Sequence, residues 1–238
     1  MPVKETAREA AFPARQDTQH VWADDSAMRL SRIVIMIALV AACSLATARP
    51  ASADVKCGQY QSTDYGMAQI CDAGIPSHEL DVTAQLEPTV QQQSNWCWAA
   101  AISGVFAYYG HPVSQARIVR EAYGGIANMR GSPQAIMGSL NRDWVDDAGR
   151  PFEVTANMFS ANWVTAAQDL AQNRPLIVGS LGHAMILTAA EYTRYANGNG
   201  QIQGVIVRDP WPSNPRRRAL STREAYGVQM LIRIRVTS

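Results

Sequence analysis

The apolar residues of this chain fall into one continuous helical run, several amphipathic segments and a later group of strand-length runs. The continuous run, WCWAAAISGVFAYY at 96–109, is apolar on nearly every side and predicts a helix buried all round. Ser94 or Asn95 is expected to cap it, so that the helix starts around Trp96. Gly110 then stands where helices commonly end in a left-handed residue.

Three further segments carry helix-start and helix-stop residues. They are VSQARIVREAYGG with Ser114 as cap, GSPQAIMGSLNRDW with Ser132 before Pro133, and NWVTAAQDLAQNRP, which ends before Pro175. The helical part of the chain is therefore predicted to finish at Pro175.

After Pro175 the pattern changes to apolar runs of strand length. PLIVGSL, HAMILTAAEY, IQGVIVRD and VQMLIRIRV predict four strands, joined by turns such as ANGNG and DPWPSNP. Before the last strand, STRE at 221–224 is a capping box that predicts a short helix. The polar segment up to about residue 90 is predicted to be loop-like. Helices first and strands later indicate an α+β domain with two halves.

The N-terminal part has the pattern of a secretory signal. The apolar run at 33–42 follows Arg29 and Arg32, and small residues precede a predicted cleavage after Ala53. Translation is expected to start at Met28, since MRLSR is a normal beginning for such a signal. The run is too short for a comfortable membrane span.

These features divide the chain into a leader at 1–53, an N-terminal arm at 54–90 and a main domain at 91–238. The mature protein is expected to be exported to the periplasm or the extracellular space, with no stable membrane span after processing. The alternative is lipoprotein anchoring at Cys43, because LVAAC resembles a bacterial lipoprotein box.

Export makes the cysteines informative. Cys57 and Cys71 bracket a short polar loop and are predicted to form a disulfide, worth roughly 3 kcal/mol in the chain-entropy model. Cys97 is left without a partner in the mature chain. An unpaired thiol in an exported protein is a liability unless it is buried or used.

Composition narrows the choice of partners. With 47% hydrophobic and 17% charged residues, the 238-residue chain has an ordinary globular composition. Its formal net charge is +1, whereas nucleic acid requires a concentrated basic face, so no nucleic-acid partner is expected. The basic run Arg216–Arg218 is interpreted as a solvated loop, with an acidic contact as the alternative.

Cys97 would lie in the first turn of the predicted helix, where free N–H groups and the helix dipole favour a thiolate. A buried cysteine acting as a small hydrophobe is the alternative. His183 begins an apolar strand after a glycine, which suits a general base held at the rim of a cleft; a core histidine is its alternative. His78 lies in a polar loop, and His111 is more simply explained as a partner of a helix C-terminus.

Two further residues complete the candidate chemistry. Asp209 ends the strand after the one that His183 begins, so its carboxylate could orient the imidazole, although Asp-Pro is also an ordinary turn. The side-chain amide of Gln91 could donate to a developing oxyanion together with the backbone N–H of Cys97; an ordinary loop glutamine is the alternative.

The motifs Q…CWA, GHAMILT and VRDPWP resemble the papain-like cysteine peptidases, in particular the compact bacterial branch with the AvrRpt2-type and C39-like peptidases. The resemblance covers roughly 85–235. It implies Cys97 as nucleophile, His183 as base and Asp209 as the residue that orients it. The family glutamine, six residues before the cysteine, corresponds to Gln91.

The resemblance also implies an architecture. A helical half is expected to carry the cysteine and an antiparallel β half the histidine and the aspartate, with a cleft between them. Trp96, Trp98 and Trp211 are expected to form walls of that cleft.

The implied activity is hydrolysis of peptide or amide bonds in a protein or peptide through a thioester, without a metal or an organic cofactor. Three alternatives stay open. The same site could perform transamidation or cleave a cell-wall peptide as an amidase. The domain could instead bind peptides without catalysis, with an inert Cys97. It could also be a secreted effector directed at another organism's proteins.

Overall fold

The structure, a computed structural model, describes residues 55–76, 89–160 and 162–238. The predicted leader at 1–53, with its start and lipoprotein positions, lies outside the described residues, as does His78. None of the helices in the described ranges is long and apolar enough to cross a membrane.

Helix α1, Cys97–Tyr108, confirms the predicted central helix, because ten of the eleven residues after its first are buried and only Tyr108 is not. Gly110, at φ +84°, follows the C-cap as predicted. The predicted cap is wrong: the N-cap residue is Trp96, whose side chain makes no capping hydrogen bond. Ser94 and Asn95 lie before it and bond a neighbouring loop instead.

The other predicted helices form and begin where expected. They are α2 (Gln115–Tyr123) after Ser114, α3 (Pro133–Leu140) after Ser132, α4 (Trp163–Leu170) after Asn162, and α5 (Thr222–Tyr226), which has the predicted capping box. Helix α3 ends before the end of its predicted segment, because the chain from Arg142 pairs as a strand.

The described residues contain ten strands in one antiparallel sheet. They are β1 (Lys56–Cys57), β2 (Gln61–Thr63), β3 (Gly66–Gly74), β4 (Arg142–Val145), β5 (Pro151–Phe159), β6 (Leu176–Ser180), β7 (His183–Tyr195), β8 (Gly200–Arg208), β9 (Arg217–Ala219) and β10 (Val228–Thr237). The four predicted strands are β6, β7, β8 and β10.

Strand β7 is the hub of this sheet. The main path runs β1-β3-β7-β6-β10-β5-β4, and β8 also pairs with β7 and continues to β9. The N-terminal arm is therefore not loop-like as predicted, since β3 pairs with β7 from Ala68 to Gly74. The predicted disulfide is confirmed, and Cys57 lies directly opposite Cys71 in the pairing of β1 with β3.

Helices cover both faces of the central strands. Ile177 of β6 packs into a cluster with α1, α2 and α3, while its neighbours Leu176 and Val178 pack into a second cluster with α4. This alternation is the two-residue period of a strand buried on both faces. The α+β class with an antiparallel sheet is confirmed, whereas the division into two catalytic halves stays a prediction.

Candidate active site

Cys97 is the first residue of α1, and its side chain is half-buried. The backbone N–H groups of a helix's first turn have no partner within the helix, so this end attracts negative charge. Cys97 is the free cysteine among the residues that the structure describes. Its position therefore favours the thiolate that the sequence predicted.

His183 owes its position to a tight turn. Leu181 and Gly182, at φ +51° and +78°, join β6 to β7, and Ser180 pairs directly with His183 across that turn. Two consecutive residues with positive φ are typical of the two-residue turns whose twist matches a β-hairpin. The imidazole consequently stands at the very start of β7, at the end of the sheet.

Asp209 follows β8, which is hydrogen-bonded to β7. It is buried, and its Oδ1 accepts hydrogen bonds from His183 Nε2 at 2.7 Å and from the backbone N–H of Trp211 at 2.9 Å. The predicted contact between histidine and aspartate is therefore present.

The other side of the imidazole faces Cys97, whose thiol is hydrogen-bonded to the His183 side chain. Burial acts to raise the pKa of the thiol, but His183 and the backbone N–H groups of Ala184 and Trp98 lower it overall. Burial acts to lower the pKa of His183, but Asp209 and Cys97 raise it to about 9. These opposite shifts favour a thiolate–imidazolium pair.

A second set of contacts, which the sequence analysis missed, holds the aspartate. Its Oδ2 accepts from Asn214 Nδ2 at 2.8 Å and from Arg218 Nε at 2.7 Å. The rest of the Arg218 guanidinium forms a two-point ion pair with Glu224, with N–O distances of 2.9 and 2.6 Å. Arg218 thus joins β9 and α5 to the Asp209 carboxylate.

These bonds keep both carboxyl groups ionised. Burial acts to raise the pKa of Asp209, but hydrogen bonds from His183, the Trp211 backbone, Asn214 and Arg218 hold it well below its usual range. The Arg218 guanidinium lowers the pKa of Glu224 to about 2, against the opposing effect of burial.

The basic run 216–218 was interpreted mainly as a solvated loop, and this is wrong for its last member. Arg217 and Arg218 belong to β9, and only Arg218 turns inward, since Arg216 and Arg217 are exposed. The acidic contact that was the alternative is present. The available sequence clue was the acidic residue of the STRE capping box just after the run.

Cys97 and His183 open into a cavity of about 390 Å³. Its walls are formed by Ser94, Asn95, Cys97, Arg130, Leu181, Gly182, His183, Trp211, Asn214, Arg218 and Glu224. Trp211 is the one of the three predicted wall tryptophans that lines this cavity. It is 41% exposed, and its ring meets the His183 ring edge-on, with 6.2 Å between the ring centres.

Trp96 and Trp98 do not line this cavity, which corrects their predicted role. They are 3% and 1% exposed, and their indole N–H groups donate to the carbonyls of Ala127 and Met129. Consecutive helical residues point about 100° apart around the axis, so the neighbours of a cleft-facing cysteine face away from the cleft.

Gln91 is buried just before this helix, and its backbone N–H donates to Pro210 beside Asp209. Its side-chain Nε2 donates to the carbonyls of Gln93 and Ser94. Its Oε1 has no hydrogen-bond partner among the described residues. The amide therefore braces the segment before Cys97, and its oxyanion role stays a prediction.

His111 lies away from this cluster. Its ring stacks on Phe152 at 4.4 Å, and its Nδ1 contacts Asp146 Oδ2 at 3.2 Å. The backbone N–H of His111 does bond the carbonyl of Phe106, as a residue closing α1 should.

A search of curated proteins finds no match. One similar solved structure is UfSP from C. elegans, at 15% identity and a TM-score of 0.38, with 59% of this chain and 29% of that chain covered. This chain thus spans less than a third of that protein's length, and so distant a likeness carries no functional argument here.

A family model, the peptidase C39-like family, matches residues 82–227. The matched region is more than half of the chain and contains Cys97, His183 and Asp209. This protein therefore belongs to the peptidase C39-like family, as its motifs predicted.

Proposed function

We propose that this protein is an exported cysteine peptidase that hydrolyses peptide bonds through a thioester. The observation that carries the proposal is the hydrogen-bonded chain from Cys97 through His183 to the buried carboxylate of Asp209, with its reactive end in a cavity. A thiolate nucleophile, a base and a group that orients the base are the components of acyl transfer by this class of site.

In the acylation step, the Cys97 sulfur attacks the carbonyl carbon of the scissile amide. As the tetrahedral intermediate collapses, the carbon–nitrogen bond breaks and protonated His183 gives its proton to the leaving amine. Neutral His183 then takes a proton from water, whose oxygen attacks the thioester. The carbon–sulfur bond then breaks, the carboxylic acid leaves, and the released thiolate pairs again with protonated His183.

The remaining side chains position these groups. Asp209 accepts from His183 Nε2, which leaves Nδ1 directed at the sulfur and stabilises the imidazolium. Arg218 and Asn214 fix the second oxygen of Asp209, so the carboxylate cannot rotate without breaking two bonds.

The oxyanion would be stabilised by the backbone N–H of Cys97 and by Gln91, each contributing roughly 3 kcal/mol in comparable sites. The first N–H is at the helix start. For Gln91 to contribute, its amide must release the Gln93 or Ser94 carbonyl when substrate binds.

Export is proposed on separate grounds. Disulfides persist in oxidising compartments, and the bond between Cys57 and Cys71 ties β1 to the strand that joins the arm to the sheet. The proposed nucleophile is a free thiol in the same chain, so reducing conditions should favour activity.

The test is the pH dependence of Cys97 alkylation by iodoacetamide in the purified chain, followed by mass spectrometry of the Cys97 peptide. We expect fast labelling well below pH 8, and loss of this acid limb in His183→Ala. An ordinary thiol profile near pKa 8.5 in both proteins would contradict the catalytic proposal and favour the binding module.

A second measurement separates the reactions that share this site. Peptides are incubated with the enzyme with and without an added primary amine, and the products are identified by mass. Hydrolysis products alone support the peptidase, whereas incorporation of the amine supports the transamidase. If the enzyme cleaves only peptides from the cell wall and none of the other peptides, the result supports the amidase.

A further inference from the structure

The two tryptophans beside Cys97 hold a loop against the start of its helix. This loop, residues 124–132, joins α2 to α3 and is named here the Arg130 loop. Trp96 donates to the carbonyl of Ala127 at 2.9 Å, and Trp98 donates to that of Met129 at 3.1 Å. A buried indole N–H needs such a partner, so these bonds fix the loop as firmly as the tryptophans themselves.

Polar bonds from the segment before the helix reinforce the same loop. The backbone N–H of Asn95 donates to Asn128 Oδ1, and the Asn95 amide donates to the Asn128 carbonyl, both at 3.0 Å. The Asn128 amide donates to Ser94 Oγ at 2.9 Å. Gly131 packs so closely on Trp98 that a Cβ at this position would overlap the indole.

These contacts place Arg130 at the cavity that contains Cys97. Its carbonyl accepts from Tyr123 Oη at 2.7 Å, which fixes the backbone at that residue. Its guanidinium makes one long bond, from Nε to Asn95 Oδ1 at 3.4 Å. In the described part of the chain, no carboxylate pairs with Arg130.

The other permanent charges of the cavity wall are already paired. Arg218 is engaged by Asp209 and Glu224, and those contacts satisfy Glu224 in turn. Arg130 is therefore the cation of this wall that is left for a ligand, and its remaining N–H donors can accommodate a carboxylate in the two-point geometry that arginine favours.

We propose that Arg130 binds a carboxylate of the substrate, so that the enzyme prefers peptides with an acidic group near the scissile bond. This inference rests on the proposed peptidase function. Elsewhere on the cavity wall, Leu181 and Trp211 are 53% and 41% exposed, so an apolar side chain of the same peptide can pack there. The carboxylate belongs either to an acidic side chain or to a peptide C-terminus.

The decisive experiment compares alkylation of Cys97 by two reagents that differ in charge. Iodoacetate carries a carboxylate and iodoacetamide is neutral, so the ratio of their rates reports attraction of an anion into the cavity. We expect Arg130→Gln to lower this ratio about fivefold relative to wild type. Arg130→Lys should retain part of it, because the charge remains but the planar fork is lost.

Arg235→Gln is the matched control, since Arg235 is an exposed arginine of β10 that does not line the cavity. Its ratio should equal that of wild type at the same ionic strength. An unchanged ratio in Arg130→Gln, or an equal fall in Arg235→Gln, would overturn the proposal.

Peptide substrates then identify the source of the carboxylate. One pair differs by Glu against Gln within an amidated peptide, and a second pair differs by a free against an amidated C-terminus. Loss of about tenfold discrimination within the first pair in Arg130→Gln assigns a side chain, and loss within the second assigns a terminus. Hydrolysis with no Arg130-dependent discrimination in either pair counts against the proposal.

The two proposals fail in different ways. If no peptide is hydrolysed and Cys97 lacks acid-shifted alkylation, the peptidase function fails. The ratio of iodoacetate to iodoacetamide rates still decides whether Arg130 attracts a carboxylate, because neither reagent requires turnover.

Discussion

The described residues contain two buried aspartates that each pair with a histidine and an arginine. In one, His183 Nε2 and Arg218 Nε contact different oxygens of Asp209, each at 2.7 Å. In the other, His111 Nδ1 and Arg150 Nη2 contact the same oxygen of Asp146, at 3.2 and 2.7 Å. The chemical groups are the same, yet only the first set lies beside a thiol.

The two pairs differ in what surrounds the part of each imidazole that does not contact its aspartate. The His183 side chain is 23% exposed and faces Cys97 and the cavity, whereas His111 is 9% exposed and stacks on Phe152. An imidazole confined between an aromatic ring and a carboxylate has no reacting group to serve. A histidine–aspartate contact therefore does not mark catalysis unless the other face of the ring meets a nucleophile and a space for substrate.

Separate substitution of the two histidines should give the largest difference in activity. His183→Ala removes the base and the counter-ion of the thiolate, so kcat/KM for peptide hydrolysis should fall at least ~10⁴-fold. His111→Asn should leave kcat/KM within about twofold and lower the urea midpoint of unfolding, because a stacked, hydrogen-bonded ring is lost. Equal loss of activity in both folded variants would remove the distinction between the two pairs.

Substitution of each aspartate by asparagine should distinguish a carboxylate that orients a histidine for catalysis from one that only stabilises the fold. Asp209→Asn leaves the thiol in place but misdirects His183, and we expect kcat to fall roughly 10²- to 10³-fold. The fall should be smaller than the roughly 10⁴-fold of a serine triad, because the lowered pKa of Cys97 favours a thiolate before substrate binds.

Asp146→Asn is the matched variant for this comparison. Asp146 accepts from the backbone N–H groups of Ala148 and Arg150 and thus closes the turn between β4 and β5. Its loss should lower the thermal midpoint while kcat of the folded protein stays near wild type. An unaltered kcat in Asp209→Asn would show that Asp209 is only a structural partner.

Substitution of the two arginines should change activity less than substitution of the histidines or the aspartates. Arg218 is 18% exposed and reaches both Asp209 and Glu224, while Arg150 is 55% exposed at the rim of its turn. Arg218→Gln should lower kcat about tenfold with a smaller change in KM, and Arg218→Lys should restore part of it. Arg150→Gln should change neither, because exposed ion pairs contribute little.

A merely structural Arg218 would give a different result. Its substitution would then lower the unfolding midpoint without altering kcat or the pH profile of Cys97 alkylation in the folded protein. Both quantities are measured on the same preparations, so the two roles are distinguished directly.

The sequence predicted that Cys97, His183 and Asp209 act together, because each begins or ends a strongly patterned element and matches a motif of the family that the chain resembles. A buried helix and four apolar strands are visible in local composition, and the residues that begin or end them are then candidates for one edge of the fold. The same reasoning predicted the disulfide, which the structure confirms.

The missed features depend on contacts between distant segments. Strand β3 exposes Met67 and Ile70 while it buries small residues such as Ala68 and Ala73, so its pairing with β7 is not visible as an alternation of apolar and polar residues. Arg218 resembles a solvated charge in sequence and becomes a site residue only because β9 pairs with β8. Trp98 was misplaced because adjacency to the cysteine along the chain is not adjacency around a helix.

The smallest expected effect concerns the pH dependence of folding. The pKa of His183 is raised to about 9 from an ordinary value near 6.5. Its charged form therefore stabilises the fold fully below about pH 6.5, and this contribution is lost as the pH rises through 9. Because the imidazole is half-buried and screened by solvent, we expect the lost stability to be on the order of 1 kcal/mol. Urea unfolding of wild type and His183→Asn measures it, as the change in the difference between their unfolding free energies when the pH rises from about 6.5 to above 9.

The same pH-dependent difference, measured in a Cys97→Ala background, should be smaller, since the thiolate is one cause of the raised pKa of His183. If it does not shrink, the Asp209 contact alone accounts for the shift, and Cys97 no longer distinguishes this pair electrostatically from that of His111 and Asp146.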